Sequence, residues 1–149
     1  MGQQQLLLLV LGIVIVGLAV VVGIQAFGEN QEKSSRDALV NDDIRIAADA
    51  QAWVLKPSVF GGGGGNPTNA TLEALGYTVT NGTYTNLTGT YAMGATATSI
   101  TISGRNTTST GYVGVSVYGT SPACIATAAR GSDPGPPSKP SSCTADLDW

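Results

Sequence analysis

Nineteen consecutive positions, residues 6–24 (LLLLVLGIVIVGLAVVVGI), carry no charged or strongly polar side chain. At a rise of about 1.5 Å per residue, an α-helix of that length spans about 30 Å, the thickness of a bilayer's hydrocarbon core. A secretory signal would need a basic start, a shorter apolar run and a small-residue cleavage site. Residues 1–5 hold neither lysine nor arginine, so the segment reads as retained in the mature protein.

The pattern then reverses. Residues 29–56 hold ten of the chain's seventeen charged side chains. Glu29 with Lys33, and Glu32 with Arg36, stand four apart in the favourable acid-first order. Val40, Ile44, Ala47, Ala48, Val54 and Leu55 approximate an apolar stripe of helical period. Only Gln25, Ala26, Phe27 and Gly28 separate the two zones, with no proline among them, so the spacing predicts one continuous helix over residues 6–56. Gly12, Gly17, Gly23 and Gly28 are the positions where it could bend or melt, and Pro57 ends it.

Gly61, Gly62, Gly63, Gly64 and Gly65 precede Asn66-Pro67 and predict a loop that is flexible or closely approached. Beyond it threonine and serine dominate. Residues 77–80 and 83–85 flank Asn81-Gly82, a two-residue hairpin signal. Residues 98–103 alternate with Ile100 and Ile102 on one face, and residues 112–118 with Val113, Val115 and Val117 on one face. Together these predict a small antiparallel sheet with one apolar side. Roughly 85 residues alone would make a thin core, so the sheet is expected to dock on the helix between Val40 and Leu55. The fold class expected is therefore α+β. A long helix, residues 1–57, has a hydrophobic stem over 1–28 and an amphipathic half over 29–57. The Gly loop and Thr-rich β domain, residues 58–149, packs on the helix's C-terminal half.

Composition narrows the chemistry. With 149 residues there is room for one modest domain and one long element, and a net charge of −3 with 11% charged residues provides no basic field for nucleic acid. Histidine is absent and there are two cysteines, which removes the commonest acid/base group and any His/Cys metal cluster. Asp42, Asp43 and Asp49 are the nearest thing to a carboxylate cluster, but Asp42 and Asp43 splay about 100° apart on a helix, so a solvated or salt-bridged face is expected. Arg45 among them suits either an intrahelical pair or a contact to another subunit. The glycine run lacks the lysine of a phosphate-binding loop, and Gly12, Gly17 and Gly23 do not form a G-x-x-x-G pair. No catalytic, cofactor-binding or metal site is expected.

Cys124 and Cys143 enclose a loop rich in glycine, proline and serine. A bond between them would close that loop, with a chain-entropy contribution of about 3 kcal/mol, and would fit an exported domain; free thiols are the alternative. Asn69, Asn81, Asn86 and Asn106 each begin an N-x-[ST] triplet and are candidate glycosylation sites, Asn81 being explained equally by turn chemistry. The aromatic side chains are read as packing and interface anchors rather than a conducting path, with Trp149 a candidate packing plug.

The order of these parts resembles that of the type IV pilins: an uncharged tip, a membrane-length apolar run, an amphipathic continuation, a proline stop, a glycine-rich loop, a small β domain and a C-terminal cysteine loop. The resemblance covers the whole chain in layout and residues 1–56 in detail. In that family a prepilin peptidase removes a short basic leader after a glycine. It implies that Met1 stands where the family's first mature residue is usually phenylalanine, or that cleavage follows Gly2 and leaves Gln3 first. Gln5 replaces the glutamate common at the fifth mature position; it can still hydrogen-bond to a neighbour's amino terminus, without a charge. The helix proline of many members is missing, and Gly17 and Gly23 take its place.

The resemblance further implies a pool in the cytoplasmic membrane, assembly machinery as partner, and a cell-surface homopolymer as product. Its core would be built from Leu6, Leu7, Leu8, Val10, Leu11, Ile13, Ile15, Leu18, Val21 and Ile24. Burying that apolar surface at about 25 cal/mol per Å² gives association energies on the order of tens of kcal/mol before entropy costs. Adhesion, motility or DNA uptake would belong to the assembly. A minor pilin or secretion pseudopilin, and a single-pass anchored domain, are the other readings.

Overall fold

The computed structural model describes residues 2–107, 111–130 and 137–143. Met1, the 131–136 part of the proline-rich loop and Trp149 lie outside them. The chain is α+β. Helix α1 runs Gly2–Leu55 without interruption through Gly12, Gly17, Gly23 and Gly28. Five strands follow: β1 Thr83–Thr85, β2 Thr90–Ala95, β3 Ile100–Arg105, β4 Tyr112–Val117 and β5 Ile125–Arg130. All neighbours are antiparallel, in the order β1-β2-β3-β4-β5. Two compact units result, Met1–Ser34 and Ser35–Trp149.

In the second unit the alternation read from the sequence holds. Ile100 and Ile102 on β3 and Val113, Val115 and Val117 on β4 are fully buried, and with Tyr91 on β2 they meet Leu39, Ile46, Ala47, Ala50 and Val54 of α1. The helix stripe, however, is displaced from the expected one. Ala47 and Val54 are buried and Val40 packs half-buried against the core, but Ala48 is exposed, and Ile44 and Leu55 keep 39% and 61% of their surface. The true stripe is Leu39, Asp43, Ile46, Ala47, Ala50 and Val54, which follows the same period one position over. An aspartate inside it and alanines along it weaken its apolar signal. The alanines let the sheet approach the helix closely.

The hairpin is half realised. Asn81 and Gly82 both have positive φ, 53° and 80°, as a two-residue turn requires. The arm before it makes only one bridge, Thr80 to Thr83, and β1 takes β2 as its strand partner instead. On β4 burial extends to both faces, since Gly114 and Ser116 are buried along with the valines. The one-sided sheet expected from alternation is therefore two-sided here. Tyr118 donates its hydroxyl to the carbonyl of Pro137, tying the cysteine loop to the end of this strand.

Of the two readings of the glycine run, flexible or closely approached, the second holds. It folds back over the end of α1, where the last helical carbonyls have no partner of their own. Gly63 N–H donates to Trp53 C=O at 2.9 Å, Gly65 to Val54 at 2.8 Å and Gly64 to Lys56 at 2.9 Å. A methyl group on Gly62 would stand 2.2 Å from the Lys56 carbonyl oxygen, and one on Gly63 would stand 2.7 Å from the Trp53 ring. Only glycine admits so close a wrap. Trp53 completes the cap by donating its indole N–H to Gly61 C=O at 3.1 Å.

Candidate functional site

Two features of α1 are candidates for function, one in each unit. In the first unit every residue from 2 to 31 is exposed. The apolar side chains of residues 6–24 keep between 51% (Leu11) and 70% (Leu7) of their surface, and Leu6, Leu8, Val10, Ile13, Ile15, Leu18, Val21 and Ile24 all lie in that range. They surround the helix on all sides, whereas a globular core needs only a stripe. The segment is long and apolar enough to cross a membrane, none of its most apolar window being buried. Gln5 is exposed with them. At Gly12, Gly17 and Gly23 an added methyl group would meet nothing within 4 Å, so no contact among the described residues demands glycine there.

In the second unit the carboxylates expected on a solvated face divide: Asp49 is exposed, Asp42 half-buried and Asp43 buried in the helix–sheet seam. Asp42 and Asp49 lie seven residues apart, two helical turns, and so share a face. Tyr91 donates its hydroxyl to Asp42 Oδ2 at 2.8 Å, Asn86 Nδ2 donates to the same oxygen at 3.0 Å, and Tyr77 donates to Asp49 Oδ2 at 2.5 Å. Tyr84 pairs with Tyr91 across β1 and β2, and its ring centroid lies 5.9 Å from that of Tyr91 and 4.9 Å from that of Tyr77. Three rings and two carboxylates thus clamp strand to helix. Further along the helix, Gln51 Nε2 adds a bond to Gly119 C=O at 2.6 Å.

Electrostatics agree with that role. Burial raises the pKa of Asp42, but the hydrogen bonds from Asn86, Tyr91 and Thr88 and the charge of Arg45 outweigh it and hold the carboxyl below its ordinary 3.8. Burial and donation to a carboxylate push both the Tyr77 and the Tyr91 phenol up. Arg45 is exposed and lines, with Asp42, Ile46, Tyr77, Tyr84 and Asn86, a cleft of about 70 Å³. Asp43, next in sequence, is fully buried. Expecting all three acids on a solvated face was wrong for Asp43, because the stripe that packs includes it. A matched signal was present in the chain: tyrosines at 77, 84 and 91 repeat at the same seven-residue interval as the two aspartates.

Cys124 and Cys143 form a disulfide, with Cα atoms 4.7 Å apart, and both are buried. The four candidate glycosylation asparagines separate. Asn69 and Asn81 are exposed. The Asn86 side chain is consumed: besides its bond to Asp42, its Oδ1 accepts from the Thr88 and Gly89 amides at 2.8 and 3.0 Å. Asn106 is half-buried, and the last residue of its triplet, Thr108, lies outside the described residues. Among the described residues no group of three or more carboxylate or thiol side chains converges as a metal would require.

No family model, no curated protein and no solved structure matches the chain.

Proposed function

We propose that this chain is a structural subunit of the type IV pilin kind, held in a membrane by residues 6–24 and polymerised into a cell-surface filament through the same surface. The observation that carries the reading is the all-round exposure of that apolar surface on a helix that continues unbroken to Leu55. In a bilayer such a surface is solvated by lipid; outside one it must be covered, and identical helices from other copies cover it. A head-to-tail contact that does not close then propagates without limit. The open surroundings of Gly12, Gly17 and Gly23 support close helix approach between copies, since among the described residues these glycines serve no contact. The buried disulfide suits a domain exposed to an oxidising exterior. The activity proposed is polymerisation rather than catalysis, with prepilin peptidase and an assembly machinery as partners.

The test is electron microscopy of material sheared from the cell surface, with mass spectrometry of its main component. Thin filaments dominated by this chain, starting at Met1 or Gln3, support the reading and give the cleavage register. A chain present in filaments only as a trace component makes it a minor subunit. A chain that stays in the membrane fraction and enters no filament makes residues 6–24 a plain anchor and ends the proposal.

A further inference from the structure

Asp43 sits in the middle of the packed stripe of α1 with 0% of its surface exposed. Neither carboxyl oxygen has a hydrogen-bond partner among the described residues. The backbone of β3 closes over it so tightly that a methyl group on Gly104 would stand 2.9 Å from both oxygens and 3.0 Å from the Tyr91 ring. A charge buried without a partner is strongly disfavoured, whereas a neutral carboxyl in the same place is tolerated.

Among the described residues no cation supplies a counter-charge, and Arg36, two turns back on α1, does not figure in what sets Asp43's charge state. On its own helix the neighbour is Asp42, whose negative charge disfavours a second one. Arg45 is exposed, and its charge bears on Asp42 and Tyr77. From β2 the facing group is Tyr91, whose hydroxyl is committed to Asp42. From β3 it is Gly104, whose amide favours the ionised form only partly and falls short of hydrogen-bond geometry; the next residue, Arg105, is exposed. Opposite Gly104 on β4 stands Val113, which is apolar.

We propose that Asp43 is a proton-operated latch: the seam between α1 and the sheet closes on the protonated carboxyl, and loss of that proton loosens it. Burial, helped by Asp42 and opposed by the Gly104 amide, holds the carboxyl pKa up to about 7, against 3.8 for an ordinary aspartate. Between those values the folded chain holds a proton that the unfolded chain has released, so unfolding becomes more favourable as pH rises. Asp43's contribution is fully present below pH 3.8 and gone above about 7. Across that window the unfolding constant rises about tenfold per pH unit from this group. Asp42 works in the opposite sense, because its lowered pKa withdraws stability only as pH falls below the ordinary carboxylate range. The two adjacent acids therefore act with opposite slopes that meet near pH 3.8, where the seam is firmest, and Asp43 loosens it progressively as pH rises toward 7.

The experiment is urea denaturation of the full-length chain in detergent micelles from pH 4.5 to 8.5, followed by tryptophan fluorescence, for the native chain, Asp43→Asn and Asp43→Ala. The native chain is expected to lose stability with rising pH, and both variants to lose most of that slope, with Asp43→Asn more stable than the native chain above pH 7. A variant that keeps the native slope overturns the proposal. Carboxyl carbon-13 titration of the unmodified chain decides the matter even if both variants fail to fold. A midpoint for Asp43 near 7 supports the latch, and a midpoint near 4 overturns it.

Discussion

The two units of this chain use the same backbone element in opposite ways. Over residues 2–31 every position of α1 is exposed, and its apolar residues are spread around the whole circumference. Over Ser35–Trp149, the same helix presents one stripe, fills it with small side chains, and covers it with β2, β3 and β4. Periodicity thus separates an apolar surface left exposed from one already packed against the sheet. The first unit contributes an unsatisfied apolar surface, and the second a closed core with a buried disulfide.

The contrast can be broken at several points. The largest effect is expected from Val16→Asp in the middle of the apolar segment. A carboxylate there costs about 2.5–3.5 kcal/mol of membrane insertion, and sheared filaments should disappear while near-ultraviolet circular dichroism of the globular unit stays unchanged. Filaments at native yield would remove residues 6–24 from the assembly surface.

Ile102→Ala should act in the opposite compartment. Truncating this fully buried side chain is expected to cost about 3 kcal/mol in urea denaturation without altering membrane partition. A loss below about 1 kcal/mol would mean the helix–sheet core is looser than its burial implies. Cys124→Ser should cost about 2–3 kcal/mol by releasing the loop that ends at Cys143. The check is the shift in denaturation midpoint relative to the reduced native chain, which should match it; a variant as stable as the oxidised chain would show the bond to be dispensable.

The clamp sharpens the comparison at finer scale. Tyr91→Phe removes one of the two side-chain donors to Asp42 Oδ2 and is expected to cost about 1–2 kcal/mol at neutral pH. Because Asp42 has a lowered pKa, its stabilisation is present above pH 3.8 and lost as pH falls through the folded value. The variant should therefore show a smaller acid loss than the native chain, and an unchanged acid limb would exclude Asp42 as its source. The smallest effect is expected from Ile44→Ser, under about 0.5 kcal/mol, because Ile44 lies off the packed stripe. Ile46→Ser, two residues away and on it, should cost several times more. Equal losses would restore the stripe expected from the sequence.

That last pair shows where reading the chain succeeds and where it stops. The alternation of Ile100 and Ile102 and of Val113, Val115 and Val117 identified strands and their inner face, since side-chain direction in a strand is a local property. Residues 6–24 announced a membrane-length helix for the same reason. The helix stripe was ambiguous because Ile44, Ala48 and Leu55 lie one position away from Asp43, Ala47 and Val54, and nothing local favours a face containing an aspartate. The glycine run marked a special backbone, but its wrap onto the Trp53, Val54 and Lys56 carbonyls depends on where the helix ends in space.

By itself, then, the sequence determined the long helix, the alternation of β3 and β4, the α+β class and the one cysteine pair available for a bond, while β2 and β5 were not read from it. Tertiary structure alone decided which helix face meets the sheet, that Asp42 and Asp49 serve as acceptors for Tyr91 and Tyr77, and that Asp43 is sealed beneath Gly104. Periodicity is set by neighbouring residues along the chain. The docking of one element on another is set by the fit of volumes and polar partners brought together from distant positions, and a carboxyl's environment follows from that fit.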